Sequence, residues 1–557
     1  MAGVTVIVGA NNSGKSTFLR EIFQLISAEQ KNSTPRRHII KDCILTVEGT
    51  PENLIDTLRE GGTYVDRQPN SGFMIENQII PEPYARDRWH RAGKPDVTGT
   101  LGRIAPFFVH YVNTANRASG ISPQQRRPNI EDIPQSPMHR LEDNPEMLER
   151  VREISLRIFR QTLTLDRLSN NVQLRVGAPN IPAPPVDAVT REYRDALISL
   201  EPLQNQGDGM TAVLGLLVPI ICGSQDIILI DEPEAFLHPP QARIIGTLLG
   251  ELSQERDMQL FMATHDRNIL VGLLQSQVPV TVIRLDRCTS PTRIHELDYS
   301  RVRTLWDDPV LRYSNLLDGL FHHAVVLCEA ERDCTFYAAS LDAANENSGL
   351  DFSPGDILFV PAGGKDGFPG MTTALKAVSV PVVAIPDIDL FDDKNKVRTL
   401  VDAMGGNWIS IEPTYRIATA PFQKPRRQFK NAQILETIRK VLEPAPEAAY
   451  DRGTEEAIKA AMRSDPSPWE DLKKFGVSAF RGQERQAAAN LIQNLQELGI
   501  VVVQDGELEN LAPTVGSRKG KRWLSEALET EAYRDQRAQT HIDHVIDAIK
   551  HRLQTSS

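Results

Sequence analysis

Short runs of apolar residues alternate along the whole chain with stretches in which apolar residues recur every three or four positions. The apolar runs predict buried β-strands, and the three-to-four spacing predicts amphipathic helices. The predicted strands are Val4–Val8, Cys43–Val47, Ile104–Val112, Asp226–Ile230, Leu260–Ala263, Ala324–Cys328, Asp356–Val360, Val380–Ile385 and Gly499–Gln504. Strands that alternate with helices are typical of α/β folds with parallel sheets. We therefore predict an α/β protein.

Helical periodicity outside these strands suggests how the chain divides into domains. Two predicted helices, 144–165 and 187–200, flank a proline-rich stretch and form a predicted helical insertion over about 140–205. With 557 residues the chain is too long for one ordinary core, so two or three domains are expected. We predict a first domain over 1–305, a junction over 306–320, and a second domain over 321–557 with a helical extension at its end.

Composition narrows the class of protein. Hydrophobic residues make up 40% of the chain and charged residues 24%, which is ordinary for soluble globular proteins, and no window is apolar enough for a membrane span. The five cysteines form no CxxC pair and no secretion signal precedes the first strand, so we expect a reducing cytoplasm and no structural zinc. A net charge of −11 excludes adhesion to nucleic acid by bulk charge but leaves room for a local basic groove.

A glycine-rich loop follows the first predicted strand. Residues 9–17 read GANNSGKST, which fits GxxxxGK[ST], and an amphipathic helix comes next. Strand, loop and helix in this order form a P-loop, in which backbone N–H groups and the helix N-terminus bind phosphates. We predict that ATP binds here, with Lys15 on the β- and γ-phosphates and Ser16 on Mg²⁺. The predicted nucleotide-binding residues of the loop are Asn12, Gly14, Lys15, Ser16 and Thr17.

Two later strands end in residues that suit phosphate chemistry. The run Asp226–Ile230 leads into Asp231 and Glu232, a Walker B pattern in which the first carboxylate holds Mg²⁺ and the second orients the attacking water. A third run ends just before His265, which we predict to face the γ-phosphate. Asp208, before a predicted helix, fits a plain N-cap when taken alone.

Taken together, these motifs resemble a known class of ATPase. The order GANNSGKST, QGDGM, IILIDEPEAFLHP and ATHD resembles ABC-type ATPases of the SMC/Rad50-like branch, and LIDEPEAFLHP is especially similar to the OLD (overcoming lysogenisation defect) family. Nucleotide lies between two protomers in such ATPases. The resemblance therefore implies that Asp208 and Gly209 act on the partner's nucleotide, in a dimer or tetramer. Relatives usually carry a further strand before the P-loop strand, and the region 113–117 is the candidate for their Q-loop.

Acidic residues follow two predicted strands of the second half. Glu329 closes the first of them, and Asp387 and Asp389 close another. The carboxyl ends of parallel strands lie at one sheet edge, so these side chains can converge. Clustered carboxylates repel unless cations join them, and hard oxygen ligands favour Mg²⁺ or Mn²⁺. Capping or solvated strand ends would explain any one acid, but the set predicts a metal site suited to phosphodiester cleavage.

The segments CEAERD, PAGGKDGF and PDIDLFD resemble the Toprim domain of topoisomerases, primases and OLD nucleases. The resemblance implies metal ligands at Glu329, Asp333, Asp387 and Asp389, although Ala330 replaces the usual glycine. In OLD-type proteins a later glutamate completes the metal site, and Glu509 is the match, with Glu507 as fallback. A family lysine that neutralises the cleaved phosphate corresponds to Lys521 or Lys519.

The resemblance implies an ATP-binding, metal-dependent nuclease of the OLD family, which in bacteria includes the large subunits of Gabija anti-phage systems. The expected partners are a second copy of the chain, DNA, and a helicase-like or other defence protein, without a membrane. The basic run Lys424–Lys430 is either a solvated loop or a phosphate contact. Two alternatives remain: a PARIS-like defence protein whose Toprim effector cuts tRNA, and an SMC-like ATP-dependent DNA clamp without nuclease activity.

Overall fold

The computed structural model describes residues 3–29, 37–66, 71–75, 78–92, 100–129, 131–185, 187–287, 292–307, 315–423, 430–443, 451–462, 468–516 and 520–555. The chain divides into two compact units, 1–309 and 310–557.

A six-stranded sheet is the centre of the first unit. Its order is β12-β11-β1-β10-β9-β5, and every neighbouring pair is parallel except β11 and β12, which are antiparallel. The strands of this unit are β1 Gly3–Val8, β2 Tyr64–Val65, β3 Gly72–Ile75, β4 Gln78–Pro81, β5 Val109–Val112, β6 Gln124–Gln125, β7 Leu163–Asp166, β8 Asn171–Val176, β9 Ile227–Asp231, β10 Gln259–Ala263, β11 Val280–Asp286 and β12 Arg293–Leu297. The predicted α/β class with a parallel sheet is confirmed.

Helices cover the sheet because its central strands are apolar on both faces, as is usual for parallel sheets. Ile228, Leu229 and Ile230 of β9 are fully buried. Side-chain caps fix several helix starts: Thr50 begins one helix with a capping box, and Asn144 accepts two backbone hydrogen bonds at the start of another. The helices of this unit are Lys15–Ser27, Pro51–Glu60, Glu82–Ala92, Pro137–Asp143, Pro145–Phe159, Arg191–Ile198, Asp208–Cys222, Pro239–Glu255, Arg267–Gln275 and Tyr299–Asp307.

The predicted helical insertion is a mixture of helix and sheet. The predicted helix 144–165 ends at Phe159, where Arg160 takes a left-handed conformation, and Leu163–Asp166 pairs with Asn171–Val176 as an antiparallel hairpin. The predicted helix 187–200 is confined to Arg191–Ile198. Helical spacing continued past the real helix end because leucines of the hairpin strand extend the three-to-four pattern by chance.

Two predicted strands of the first unit also differ. The run Ile104–Val112 splits into a 3-10 turn, Gly102–Phe107, and the strand Val109–Val112, since Pro106 has no N–H to donate to a sheet. The segment Cys43–Val47 forms no strand in the described part of the chain, although its alternate side chains are partly buried against the core.

The second unit contains a smaller parallel sheet of order β14-β13-β15. Its strands are β13 Ala324–Cys328, β14 Ile357–Pro361 and β15 Val382–Ile385. The predicted strand 499–504 lies along β15: the N–H of Ala384 donates to the carbonyl of Gly499 (2.9 Å) and the N–H of Val501 to that of Ala384 (2.8 Å). Parallel pairing places the ends of all these segments at one edge.

Helices account for most of the remaining described residues of this unit. They are Glu331–Ser348, Gly367–Ala377, Lys394–Ala403, Trp408–Thr419, Asn431–Leu442, Arg452–Met462, Pro468–Phe475, Gly482–Glu497, Lys521–Glu529 and Gln536–Thr555. Across the described residues of both units, none of the helices combines the length and the apolar character that crossing a membrane requires.

One close helix contact gives a stability prediction. A β-carbon on Gly272 would lie 2.1 Å from the carbonyl oxygen of Arg243 on the neighbouring helix. Gly272→Ala should therefore lower the free energy of unfolding of the full chain by about 1–3 kcal/mol in urea denaturation. Gly370→Ala is the control, because a β-carbon there meets nothing within 4 Å and alanine favours helix. Equal stability of the two variants would contradict the close packing.

Candidate functional site

The P-loop lies at the carboxyl end of β1, in the middle of the large sheet. Its backbone is left-handed at Gly9 (φ 146°), Asn12 (φ 60°) and Gly14 (φ 102°). A β-carbon on Gly9 would lie 2.3 Å from the carbonyl oxygen of Leu285, so only glycine fits there. Gly14 is the N-cap of the helix Lys15–Ser27 and leaves its first N–H groups open to a ligand.

The predicted phosphate and Mg²⁺ residues are close together. Lys15 Nζ donates to the carbonyl oxygens of Gly9 (2.9 Å) and Ala10 (3.0 Å), so its ammonium lies over the loop. Ser16 Oγ donates to Asp231 Oδ1 at 3.0 Å, which joins the loop to the end of β9. Burial raises the pKa of Asp231, and the hydrogen bond from Ser16 opposes that shift. A hydroxyl and a carboxylate at this separation fit a shared Mg²⁺ ion.

Glu232 and His265 lie side by side at the same sheet edge, and a third residue holds the histidine. His265 Nδ1 is 4.0 Å from Glu232 Oε1 and 3.1 Å from Glu234 Oε1, and the His265 N–H also donates to Glu234 (2.8 Å). Burial raises the pKa of Glu234. Sequence reasoning gave Glu234 no role, although its position in DEPE, two residues after Glu232, is the signal that marks it.

Asp208 is exposed and is the first residue of the helix Asp208–Cys222, whose N-cap is Gly207. The plain N-cap interpretation of Asp208 is therefore wrong. Gly209 follows it, and a β-carbon there would lie 3.0 Å from the carbonyl oxygen of Phe236, in the loop after Glu232. The helix N-terminus is consequently exposed next to the loop that carries the Walker B carboxylates.

The second unit brings three of the predicted acids together. One carboxylate oxygen from each of Glu329, Asp387 and Asp389 lies within 4.8 Å of the other two. Glu329 follows β13, and its Oε1 accepts the backbone N–H of Asp387 at 3.0 Å, which fixes the end of β15 against it. Asp387 in turn bridges to Val503 in the strand-like segment beyond β15. We call Glu329, Asp387 and Asp389 the acid cluster.

The acid cluster is electrostatically crowded, and lysines partly neutralise it. Burial and the carboxylates of Glu329 and Asp389 raise the pKa of Asp387 well above its ordinary value. Lys365 Nζ lies 2.7 Å from Asp389 Oδ1 and Lys473 Nζ 3.3 Å from Asp389 Oδ2. Burial alone would raise the pKa of Asp389, but these two ammonium groups lower it.

Sequence reasoning missed both lysines. Lys365 follows the Gly363–Gly364 loop after β14. Because β14 runs parallel to β13, the topology could have predicted that Lys365 lies at the same sheet edge as Glu329. Lys473 lies on the helix Pro468–Phe475 of the extension, and nothing in its local sequence marks it.

The other predicted acids and the lysine have different surroundings. Asp333 accepts the N–H of Ala330 (2.9 Å) at the start of its own helix, and Glu509 pairs with Arg332 (3.2 Å). Glu507, the fallback, lies 3.6 Å from Lys473. These acids border the acid cluster without belonging to it. Lys521 is exposed at the start of the helix Lys521–Glu529, while Lys519 and residues 424–429 of the basic run lie outside the described residues.

A P-loop at the carboxyl edge of a parallel sheet, with its serine bonded to a Walker B aspartate, defines the first unit as an ATP-binding P-loop ATPase domain. Residues 93–271 match the family described as "AAA domain, putative AbiEii toxin, Type IV TA system". The matched range includes β9, Glu232 and His265, and the P-loop precedes it. No curated protein matches the sequence.

Several solved structures match about half of the chain. One is an Smc head bound to the C-winged helix domain of ScpA (14% identity, 55% of this chain and 93% of that chain, TM-score 0.33). Another is the SMC head domain from Thermotoga maritima (14% identity, 54% and 91%, TM-score 0.27). A third is cbiO1 from Clostridium perfringens, part of an ABC transporter complex (12% identity, 57% and 84%, TM-score 0.26).

The geometry of the loop predicts the effect of removing its lysine. Lys15→Ala should weaken ATP binding by about 10- to 100-fold in calorimetry, because a charged hydrogen bond to phosphate is lost. Arg157→Ala is a matched control, since it removes one positive charge from a surface ion pair of the same unit (Arg157–Glu251, 3.0 Å). Unchanged ATP affinity in Lys15→Ala would contradict the assignment of the loop.

Proposed function

We propose that this protein is an ATP-regulated, metal-dependent nuclease, with an ABC/SMC-like ATPase in its first unit and a Toprim-like nuclease centre of the OLD type in its second. The observation that carries the proposal is the acid cluster. Three carboxylates from two neighbouring strand ends converge within 4.8 Å at the edge of a parallel sheet. Such proximity is unfavourable for the carboxylates alone, so it argues for a cationic ligand.

The donor set fits Mg²⁺ or Mn²⁺. Carboxylate oxygens are hard ligands, and Glu329, Asp387 and Asp389 offer them without a competing sulfur or imidazole in the group. A bound ion would stabilise the charge that develops on phosphate oxygens during phosphodiester cleavage. The N–H of Asp387 holds Glu329 in place. Lys365 and Lys473 bring positive charge to the cluster through their ion pairs with Asp389. That charge suits a polyanionic substrate.

The first unit would act as the nucleotide switch. Lys15 and Ser16 would contact the phosphates and Mg²⁺, Asp231 would hold the same ion, and Glu232 would orient water beside His265. The exposed N-terminus of the helix Asp208–Cys222 supports a dimer in which Asp208 and Gly209 meet the nucleotide of a second copy. ATP would then favour association and so control access of nucleic acid to the nuclease centre.

We propose DNA as the substrate and anti-phage defence as the setting, with a helicase-like or other defence protein as a further partner. These proposals are supported by the motif resemblance to OLD and Gabija proteins. One observation favours the SMC-like clamp instead. Lys365 and Lys473 already compensate the charge of Asp389, so the acid cluster has a partly satisfied arrangement without cleavage chemistry.

Substitutions in the acid cluster separate nuclease from clamp. Glu329→Gln and Asp387→Asn should each reduce Mg²⁺-dependent cleavage by at least about 100-fold, because losing a metal ligand costs more than losing a group that merely supports one. ATP affinity should not change, since the P-loop belongs to the other unit. Cleavage is measured on plasmid, linear DNA and tRNA, in Mg²⁺ and in Mn²⁺, with and without ATP.

Asp356→Asn is the matched control, because Asp356 lies just before β14, at the opposite end of the same sheet. It should retain wild-type cleavage. If only tRNA is cut, the substrate is tRNA and the proposal of DNA is wrong. Absence of any cleavage by the wild type, together with ATP-dependent retention of DNA, would support the clamp and refute the nuclease.

A further inference from the structure

Arg117 is an almost fully buried arginine beneath the Walker B strand. Its residue is 3% exposed, and its guanidinium donates to two consecutive backbone carbonyls, those of Asp231 (2.6 Å) and Glu232. The residue begins a 3-10 turn, Arg117–Ile121. Sequence reasoning treated this region only as a candidate Q-loop and gave Arg117 no role.

The backbone that Arg117 contacts is in an unfavourable conformation. Glu232 has φ 54°, a left-handed geometry that non-glycine residues rarely adopt. Such a conformation persists only where the surrounding structure imposes it, and it is common at functional sites. The N–H of Glu232 donates to the carbonyl of Ala263 (2.9 Å), and its own carbonyl accepts from Arg117 and from the N–H of Ala235 (3.1 Å). Both backbone polar groups of Glu232 are therefore held, which fixes the direction of its side chain.

Arg117 lies among three carboxylates, which repel one another and are stabilised by a nearby cation. Asp231, Glu232 and Glu234 are close enough to influence its ionisation, and all three favour the charged guanidinium. Burial acts in the opposite direction and lowers the pKa of Arg117, but an arginine remains protonated under ordinary conditions. The guanidinium therefore offsets part of the repulsion among the Walker B acids.

The turn that carries Arg117 is packed tightly on the helix Asp208–Cys222. A β-carbon on Gly215 of that helix would lie 2.4 Å from the carbonyl oxygen of Arg117. A β-carbon on Gly120 would lie 2.4 Å from Pro219 Cγ and 2.6 Å from the carbonyl oxygen of Gly215. Glycines at both contact points allow backbone-to-backbone packing, so the turn cannot shift without the helix.

We propose that Arg117 is a positioning residue for ATP hydrolysis, which holds Glu232 in its left-handed conformation and joins it mechanically to the helix that begins at Asp208. This inference rests on the proposed ATPase function. Arg117 contacts backbone carbonyls, keeps Glu232 oriented, and would move it together with the exposed helix N-terminus when a second copy binds there.

The test compares Arg117→Met and Arg117→Lys with Arg140→Met in the full chain. Arg140 is a matched control. It is a partly buried arginine that also donates to a backbone carbonyl, that of Cys222 (2.7 Å), which is the last residue of the helix Asp208–Cys222. For Arg117→Met, kcat for ATP hydrolysis should fall about 10- to 100-fold while KM changes less than about threefold, since orientation of Glu232 and not ATP binding is lost. Arg117→Lys should have a kcat between those of Arg117→Met and the wild type, and Arg140→Met should retain the wild-type kcat.

Hydrogen exchange provides a readout that does not require turnover. Amides of residues 228–237 should exchange faster in Arg117→Met and remain protected in Arg140→Met. If kcat and exchange in Arg117→Met match the wild type, or if Arg140→Met shows the same losses, the positioning role is wrong. If the wild type hydrolyses no ATP but exchange rises only in Arg117→Met, the backbone role of Arg117 stands and the proposed ATPase activity fails.

Discussion

Parallel strand pairing is the constraint on which both candidate sites depend. Because neighbouring strands run in one direction, the residues that follow each strand are delivered to a common edge. In the first unit this edge collects the P-loop after β1, the Walker B acids after β9 and His265 after β10. In the second unit the same rule brings Glu329 to Asp387 and Asp389. Neither set of side chains is contiguous in sequence, and neither would meet in an antiparallel arrangement of the same strands.

The negative charge of the clustered carboxylates is compensated differently at the two sheet edges. At the Walker B edge, Ser16 donates to the Asp231 carboxylate and His265 contacts the Glu234 carboxylate, while the buried Arg117 holds the backbone carbonyls of Asp231 and Glu232. At the acid cluster, the compensation is two lysines on Asp389, while the pKa of Asp387 stays raised by burial and by its neighbours. The first edge is therefore rigidly organised, whereas the second retains an unbalanced carboxylate that a divalent cation would satisfy.

Sequence patterns predicted the parts of this structure that depend on local chemistry. Buried parallel strands are apolar throughout, so β1, β9, β10, β13, β14 and β15 were evident from their composition, and the residues after them followed from topology. The predictions were wrong where a pattern has two causes. Leucines of the strand Leu163–Asp166 continued a helical spacing, and Pro106 interrupted a run that otherwise reads as one strand. Boundaries of this kind are set by pairing partners that lie elsewhere in the chain.

Residues that act through packing left little trace in the sequence. Lys473 reaches Asp389 from a helix 84 positions away, and Arg117 reaches the Walker B carbonyls across 114 positions. No motif links either residue to its target, because a cation can approach a carboxylate or a carbonyl from many places in a fold. Glu234 is intermediate: it lies within a recognisable motif, but its contact with His265 depends on the alignment of β9 and β10.

The central claim is that Glu329, Asp387 and Asp389 form a divalent metal centre. Its most direct test is anomalous diffraction from crystals of the full chain grown with Mn²⁺. We expect an anomalous peak within about 2.5 Å of carboxylate oxygens from all three residues, with at least one lysine displaced from Asp389. Mn²⁺ bound only elsewhere, with Lys365 and Lys473 still on Asp389, would contradict it.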